Sequence, residues 1–154
     1  MIDKAIRYLY YLLFFFTPIV MASFTSELFE FNKMMLIYFF TASITFLWIT
    51  KMILSKKIIV KKTLFDIPIV LFLASQIISF VFSIDKHTSL FGYYGRFNGG
   101  LLSVFAYVLL YYSAVSNLSK DIVHRLLRIS FLSSLLVIIW GLPGGFGYDL
   151  SCFV

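Results

Sequence analysis

The stretch MMLIYFFTASITFLWITKMIL, Met34 to Leu54, holds a single charged side chain, Lys51, in 21 residues. A helix needs about 20 mostly apolar residues to cross the hydrocarbon core of a bilayer, so this block predicts a membrane span. Trp48 and Lys51 stand near one end of it, where aromatic rings settle among headgroups and a lysine stem can reach them. Four more apolar blocks flank it: Ala5 to Phe24, interrupted by Thr17-Pro18; Leu64 to Ile84; Leu101 to Val115; and Ile129 to Leu142. The whole chain follows the same pattern, 61% hydrophobic and 13% charged in 154 residues, with a mean hydropathy of +0.96. Soluble domains carry about 25% charged residues; half of that cannot cover a water-facing surface, and disorder needs low hydrophobicity. The expected fold class is therefore all-α, a multi-pass transmembrane helical bundle of about four or five spans with no sheet, forming one membrane-embedded region. The expected spans are 5–24, 34–54, 64–84, 99–116 and 129–143. The last has only about 14 apolar residues before Pro143-Gly144-Gly145, short for a crossing.

The charges sort along the chain. Formal net charge is +6, and the cations fall in short clusters between apolar blocks, which fits topology rather than nucleic-acid binding. With the N-terminus inside, the inner side holds Lys4, Arg7, Lys51, Lys56, Lys57, Lys61, Lys62, Lys120, Arg125 and Arg128, and the outer side holds Lys33, Lys86 and Arg96. Ten against three sets the direction by the positive-inside rule. Four lysines in the seven residues Lys56–Lys62 form the most basic segment, a topology-setting loop or an anionic-lipid patch. The basic N-terminus resembles the start of a signal peptide, but Pro18 interrupts the apolar run and no small-x-small cleavage site follows; an uncleaved first span is expected. One cysteine, Cys152, allows no internal disulfide and no CxxC site. Asn117-Leu118-Ser119 matches a glycosylation sequon on the inner side, a chance match.

Chemistry-bearing groups are few. No P-loop, HExxH or GxSxG is present, so no catalytic residue, metal site or cofactor is assigned. His87 and His124 fall on opposite expected sides and cannot share a metal; His87, beside Asp85 and Lys86, is a solvated loop histidine or an acid–base group. Glu27, Glu30 and Lys33 share a helix face, with Ser26 ahead of them, and read as a helix start rather than a paired-carboxylate site. Asp66 with Pro68 opens the third block, where the helix dipole and a first-turn proline favour them. Ser75, Ser79 and Ser83 recur every four residues and predict a stripe against a neighbouring helix. Leu118, Ile122 and Leu126 repeat at helical spacing and predict a short amphipathic helix over 117–128.

The richest segment is Ser89 to Gly100, with four glycines in the nine residues from Gly92. Glycines allow tight turns and close approach of backbone to a ligand. Arg96 and Asn98 supply donors, while Tyr93, Tyr94 and Phe97 can stack on sugar rings or sit among headgroups. The guanidinium of Arg96 suits a phosphate or pyrophosphate; the alternative is a tight loop in which it anchors to lipid phosphate.

Together with Thr17-Pro18, Ser26 to Lys33, Phe65-Asp66-Ile67-Pro68 and Ser83-Ile84-Asp85, the run Ser89 to Leu101 resembles the amino-terminal part of the O-antigen ligase and polymerase family, over roughly residues 10–145. The order of these motifs carries the resemblance more than any one of them. It implies a bacterial cytoplasmic-membrane protein with its N-terminus in the cytoplasm. Its activity would be transfer of a glycan from a polyprenyl-pyrophosphate carrier to an acceptor on the outer side, without a cofactor. The implied partners are membrane lipids and the carrier-linked glycan. The substrate-binding residues on this reading are Arg96, Asn98, Tyr93 and Tyr94. The family has about a dozen spans, and its catalytic histidine and key arginines lie in a late outer loop with no counterpart here. The chain is thus expected to be an amino-terminal fragment, inactive alone, with Trp140 to Asp149 reading like a segment leaving span five. The alternative is a small non-enzymatic membrane partner or assembly subunit. A transporter is disfavoured, because no charged residue stands at the centre of any expected span.

Overall fold

A computed structural model describes residues 1–20 and 30–145, the side chains of 143–145 excepted. The described residues form six helices and no strand: α1 (Ile2–Ile19), α2 (Glu30–Ser55), α3 (Asp66–Val81), α4 (Lys86–Phe91), α5 (Leu101–Asn117) and α6 (Lys120–Gly145). Ser26, Glu27, Cys152 and the segment 146–154 lie outside the described residues, as does the end of the expected first span.

The core is built on α1. Its residues Ile6, Tyr10 and Leu13 are buried at helical spacing and pack with Phe40, Ile44 and Trp48 of α2, with Leu118 just ahead of α6, and with Ile122 and Leu126 at its start. Each set repeats at intervals of three or four residues, which stacks side chains on one helix face. The Leu118–Ile122–Leu126 stripe faces inward, as its spacing predicts. Helix α5 joins through α2 with a face of small residues: Ser103, Ala106, Ser113 and Ser116 are all buried, which lets two backbones approach closely.

Two polar clusters fix the helix directions. At one end Lys51 pairs with Asp3 of α1 and donates to the Asn117 Oδ1 of α5, 2.8 Å away. The Lys51 ammonium beside Asp3 holds that carboxyl below its ordinary range. At the other end Glu30 meets Arg96, and the Tyr38 hydroxyl donates to the Phe97 carbonyl at 2.7 Å. Helices α2 and α5 therefore run the same way. Tyr112 at the end of α5 donates to Asp66 at the start of α3, so those two run oppositely. The Ser133 hydroxyl lies 3.4 Å from the Phe14 carbonyl, which lays α6 alongside α1 in the same direction. This up-and-down order is the usual result of short connections between helices.

Two expectations need correcting. The amphipathic segment 117–128 and the short fifth block 129–143 are one helix of 26 residues. After the extended residue Leu118, the Ser119 carbonyl accepts the amides of Ile122 and Val123, and no proline or glycine interrupts the chain until Gly141. The expected serine stripe packs at one end only: Ser75 and Ser79 are exposed, the Ser75 hydroxyl donating to its own helix at Phe72, while Ser83, beyond α3, is half-buried and accepts the Ser89 hydroxyl of α4. The half-buried face is Asp66, Ile69, Leu73, Gln76 and Phe80, which follows the 3.6-residue period. Ser75 and Ser79 are rotated from it by roughly 100–140°. The packed serines stand on α5 instead.

Helices α2 and α6, the latter over Lys120–Leu142, are long and apolar enough to cross a membrane. Helices α3 and α5 are apolar but have 16 and 17 residues, and α1 carries Asp3, Lys4 and Arg7 in its first turns.

The packing contrast is testable by thermal unfolding in detergent. Ser113→Leu inserts bulk where α5 is wholly buried and is expected to destabilise by about 1–3 kcal/mol; Ser79→Leu, on an exposed face, is expected to leave the midpoint unchanged. Equal effects from both would refute this placement of the small-residue face.

Candidate functional site

The loop after α4 is a backbone construction. Asp85 caps α4: its carboxylate accepts the amides of His87 at 3.0 Å and Thr88 at 3.2 Å, and the Thr88 hydroxyl as well. The Thr88 hydroxyl and amide, then the His87 amide, hold the Asp85 carboxyl below its ordinary range. The helix ends at Gly92, with φ +91°, and the chain then turns back on itself. The Tyr93 carbonyl accepts the amides of Arg96 and Phe97, and the Tyr93 amide donates to the Asn98 carbonyl at 3.2 Å. The Asn98 side chain accepts the Gly99 amide at 2.8 Å.

Two glycines permit the crossing. A Cβ at Gly92 would stand 2.1 Å from the Asn98 carbonyl oxygen, and one at Gly100 would stand 2.3 Å from the Gly92 nitrogen. Phe97 adopts φ +52°, an uncommon conformation for a bulky residue. It is held there by rings on both sides, Phe31 at 5.5 Å and Phe91 at 6.0 Å, and by the Tyr38 hydroxyl on its carbonyl. Strain of this kind persists where the surroundings over-determine it.

The four expected binding residues, Tyr93, Tyr94, Arg96 and Asn98, all stand on this one loop. Tyr93 and Tyr94 are 73% and 79% exposed, with one face of Tyr94 toward His87. His87 stacks near Phe91 and Tyr94, with centroids 5.0 and 5.4 Å away, and these rings enclose a pocket of about 50 Å³. His124 binds the Lys120 carbonyl on α6. Arg96 Nε lies 3.6 Å from Glu30 Oε2, both side chains about half exposed. The residues 27, 30 and 33 thus contribute at least one member to the Arg96 neighbourhood.

Sequence reading missed α4 and the Glu30–Arg96 pair. Asp85 followed by Thr88 is a recognisable helix-start signal and announces α4. The ion pair joins residues far apart in the chain and leaves no local trace. A separate apolar cleft of about 530 Å³ opens between α1, α5 and α6, with Leu13, Phe14, Leu110, Ala114, Leu126 and Leu127 among its walls. Among the described residues no group of three His, Cys, Asp or Glu side chains can hold a metal ion.

The glycines separate into two kinds. Gly92→Ala combines a positive φ with a backbone clash, whereas a Cβ at Gly99, φ +81°, meets open space. Gly99→Ala is expected to cost only the left-handed penalty, about 1–2 kcal/mol, and Gly92→Ala clearly more. Amide hydrogen exchange over residues 86–100 checks the ranking; a Gly99 variant that opens the loop more than a Gly92 variant contradicts the crossing described above.

Comparison of the chain with protein-family models, with curated proteins and with solved structures returned no match.

Proposed function

We propose that this chain is a multi-pass membrane protein of four or five spans, similar to the amino-terminal part of the O-antigen ligases and polymerases, and that its 92–100 loop engages a polyprenyl-pyrophosphate-linked glycan. The membrane part of this reading rests on where the apolar residues point. A helix this hydrophobic in a soluble protein buries itself, yet 22% of the α2 window and 17% of the α6 window are buried. Phe46, Ile67 and Phe131 are 69%, 74% and 68% exposed. Such surface is costly in water, at roughly 25 cal/mol per Å², and costs nothing against lipid tails. Helices α3 and α5 rise about 24–26 Å, close to the ~30 Å hydrocarbon thickness.

The orientation follows from the two bundle ends. The end with Asp3, Lys51 and Asn117 also receives the Lys56–Lys62 segment and Lys120, while the Glu30–Arg96 end carries few cations. The basic end belongs in the cytoplasm. In cells, a membrane-impermeant maleimide is expected to label Lys86→Cys and not Lys57→Cys, both in a Cys152→Ser background. The reverse pattern would invert the topology.

The ligand reading is carried by one observation: a backbone-built loop presents Arg96 beside two exposed tyrosine rings at the end opposite the basic cluster. Arg96 supplies a forked donor for phosphate oxygens, and Tyr93 and Tyr94 supply faces for sugar rings. The apolar cleft starts at Tyr107, about 10 Å of helix rise beyond Gly100, and is lined for a hydrocarbon chain. In nanodiscs, the chain is expected to bind a polyprenyl pyrophosphate more tightly than a polyprenyl monophosphate. Arg96→Ala is expected to weaken that binding by about tenfold or more, the loss of charge-assisted hydrogen bonds. Arg96→Lys, which keeps the charge and loses the fork, should fall between. Unchanged binding in Arg96→Ala would sink the ligand reading. The second reading, a non-enzymatic partner subunit, is favoured by α3, which has no buried residue and so offers a helix face to further spans; it would stand if no carrier lipid binds.

A further inference from the structure

The geometry points to a docking surface for anionic phospholipid headgroups on the segment 56–65, at the basic end of the bundle. This rests on the membrane reading above and not on the ligand reading. Lys56, Lys57, Lys61 and Lys62 are all exposed, and among the described residues none forms a salt bridge. Apolar side chains stand between and just after them: Ile58 is 88% exposed, Val60 48%, Leu64 96% and Phe65 62%. A soluble polyanion gives such side chains nothing to bury against. A bilayer interface accepts both kinds at once, ammonium groups among the phosphates and aliphatic groups below them.

The segment is non-helical through Thr63 yet fastened at three places. The Trp48 indole donates to the Ile59 carbonyl at 3.0 Å, and the Lys61 amide donates to the Ser116 hydroxyl at 3.2 Å. The Thr63 amide and hydroxyl donate to Asp66 at 3.1 and 2.6 Å, with the Tyr111 and Tyr112 hydroxyls donating to Thr63 and Asp66. The strap is thus hung from α2, α5 and α3, and its backbone is ordered before any lipid arrives. Pre-ordering removes an entropy term that a flexible basic tail would bear on binding. A merely topological loop needs its charges but not these tethers.

Trp48 reports on the strap because its indole is bonded to it. The protein is reconstituted as a Trp140→Phe variant in phosphatidylcholine vesicles containing phosphatidylglycerol, with bromine label placed on one lipid or the other, and quenching gives the relative occupancy next to Trp48. Each lysine near an anionic surface is worth roughly fivefold; with headgroups shared among four, a preference for phosphatidylglycerol of about tenfold is expected. It should collapse at about 1 M salt, where the Debye length is about 3 Å. It should vanish when Lys56, Lys57, Lys61 and Lys62 are all changed to Gln, and survive Lys33→Gln with Lys86→Gln at the opposite end. Equal quenching by the two lipids overturns the docking surface, as does loss of preference in the Lys33/Lys86 variant. Displacement of the preference by inorganic polyphosphate also overturns it, because the ligand would then be a soluble anion. If neither lipid quenches and the chain is stripped from vesicles by alkaline wash, the membrane reading itself fails.

Discussion

The bundle depends on α1 being buried on two sides at once. Ile6 is wholly buried and Tyr10 nearly so, because α2 and α6 both lie against the same helix. The Tyr10 hydroxyl then donates to the Leu110 carbonyl of α5 at 2.8 Å, which satisfies a polar group that would otherwise be stranded among apolar side chains. With α1 seated, α2 is antiparallel to it, α5 follows α2, and among the described residues α3 is placed chiefly through α5 and α4. Burial is accordingly uneven: α1 has three buried residues, α2 and α5 have five each, and α3 has none. The same arrangement explains why the two bundle ends differ. The end clusters are made by residues that terminate helices, and the order of helix directions decides which termini meet.

Where the sequence was informative, the signal was a period or a backbone requirement. Leu118, Ile122 and Leu126 face the core because a four-residue repeat over two turns drifts little from one helix face. The glycine-rich run is legible as a tight turn, and the close approach found there is of backbone to backbone, since Gly92 and Gly100 meet across the loop with no room for a Cβ. The same reasoning failed on α3. Small residues at intervals of four were read as a contact stripe, but seriation alone does not say which of two serine-bearing helices has a partner on that side. Tertiary placement chose α5. The boundary of α6 was missed for a related reason: polar residues 120–128 and apolar residues 129–142 differ in composition, and composition changes without any break in the hydrogen-bond ladder. Chain-distant pairs such as Tyr38 with Phe97 and Glu30 with Arg96 have no local signature at all.

The loop's rigidity and its exposed rings come from the same turn. Phe97 sits at positive φ between Phe31 and Phe91, so the turn that carries Arg96 is clamped from beneath. Tyr93 and Tyr94, on the same turn, remain largely exposed. Clamping a turn while leaving some of its rings exposed is what a preorganised binding loop requires, because the ordering cost is met on folding rather than on binding.

The Glu30 contact bears on whether Arg96 can serve a ligand. At 3.6 Å, and with both side chains about half exposed, such a pair belongs to the class worth up to about 1 kcal/mol. Hydrogen bonds from a guanidinium to a charged acceptor are worth about 1.5–3 kcal/mol, and a pyrophosphate offers several oxygens to the forked donor at once. On the proposed ligand reading, a pyrophosphate would compete with Glu30 for the guanidinium on favourable terms, and the displaced carboxylate, half exposed, would return to water at little cost. The Glu30 contact by itself therefore does not sequester the guanidinium. A buried, bidentate pair would have done the reverse, since breaking it strands a charge at a cost of about 3–5 kcal/mol.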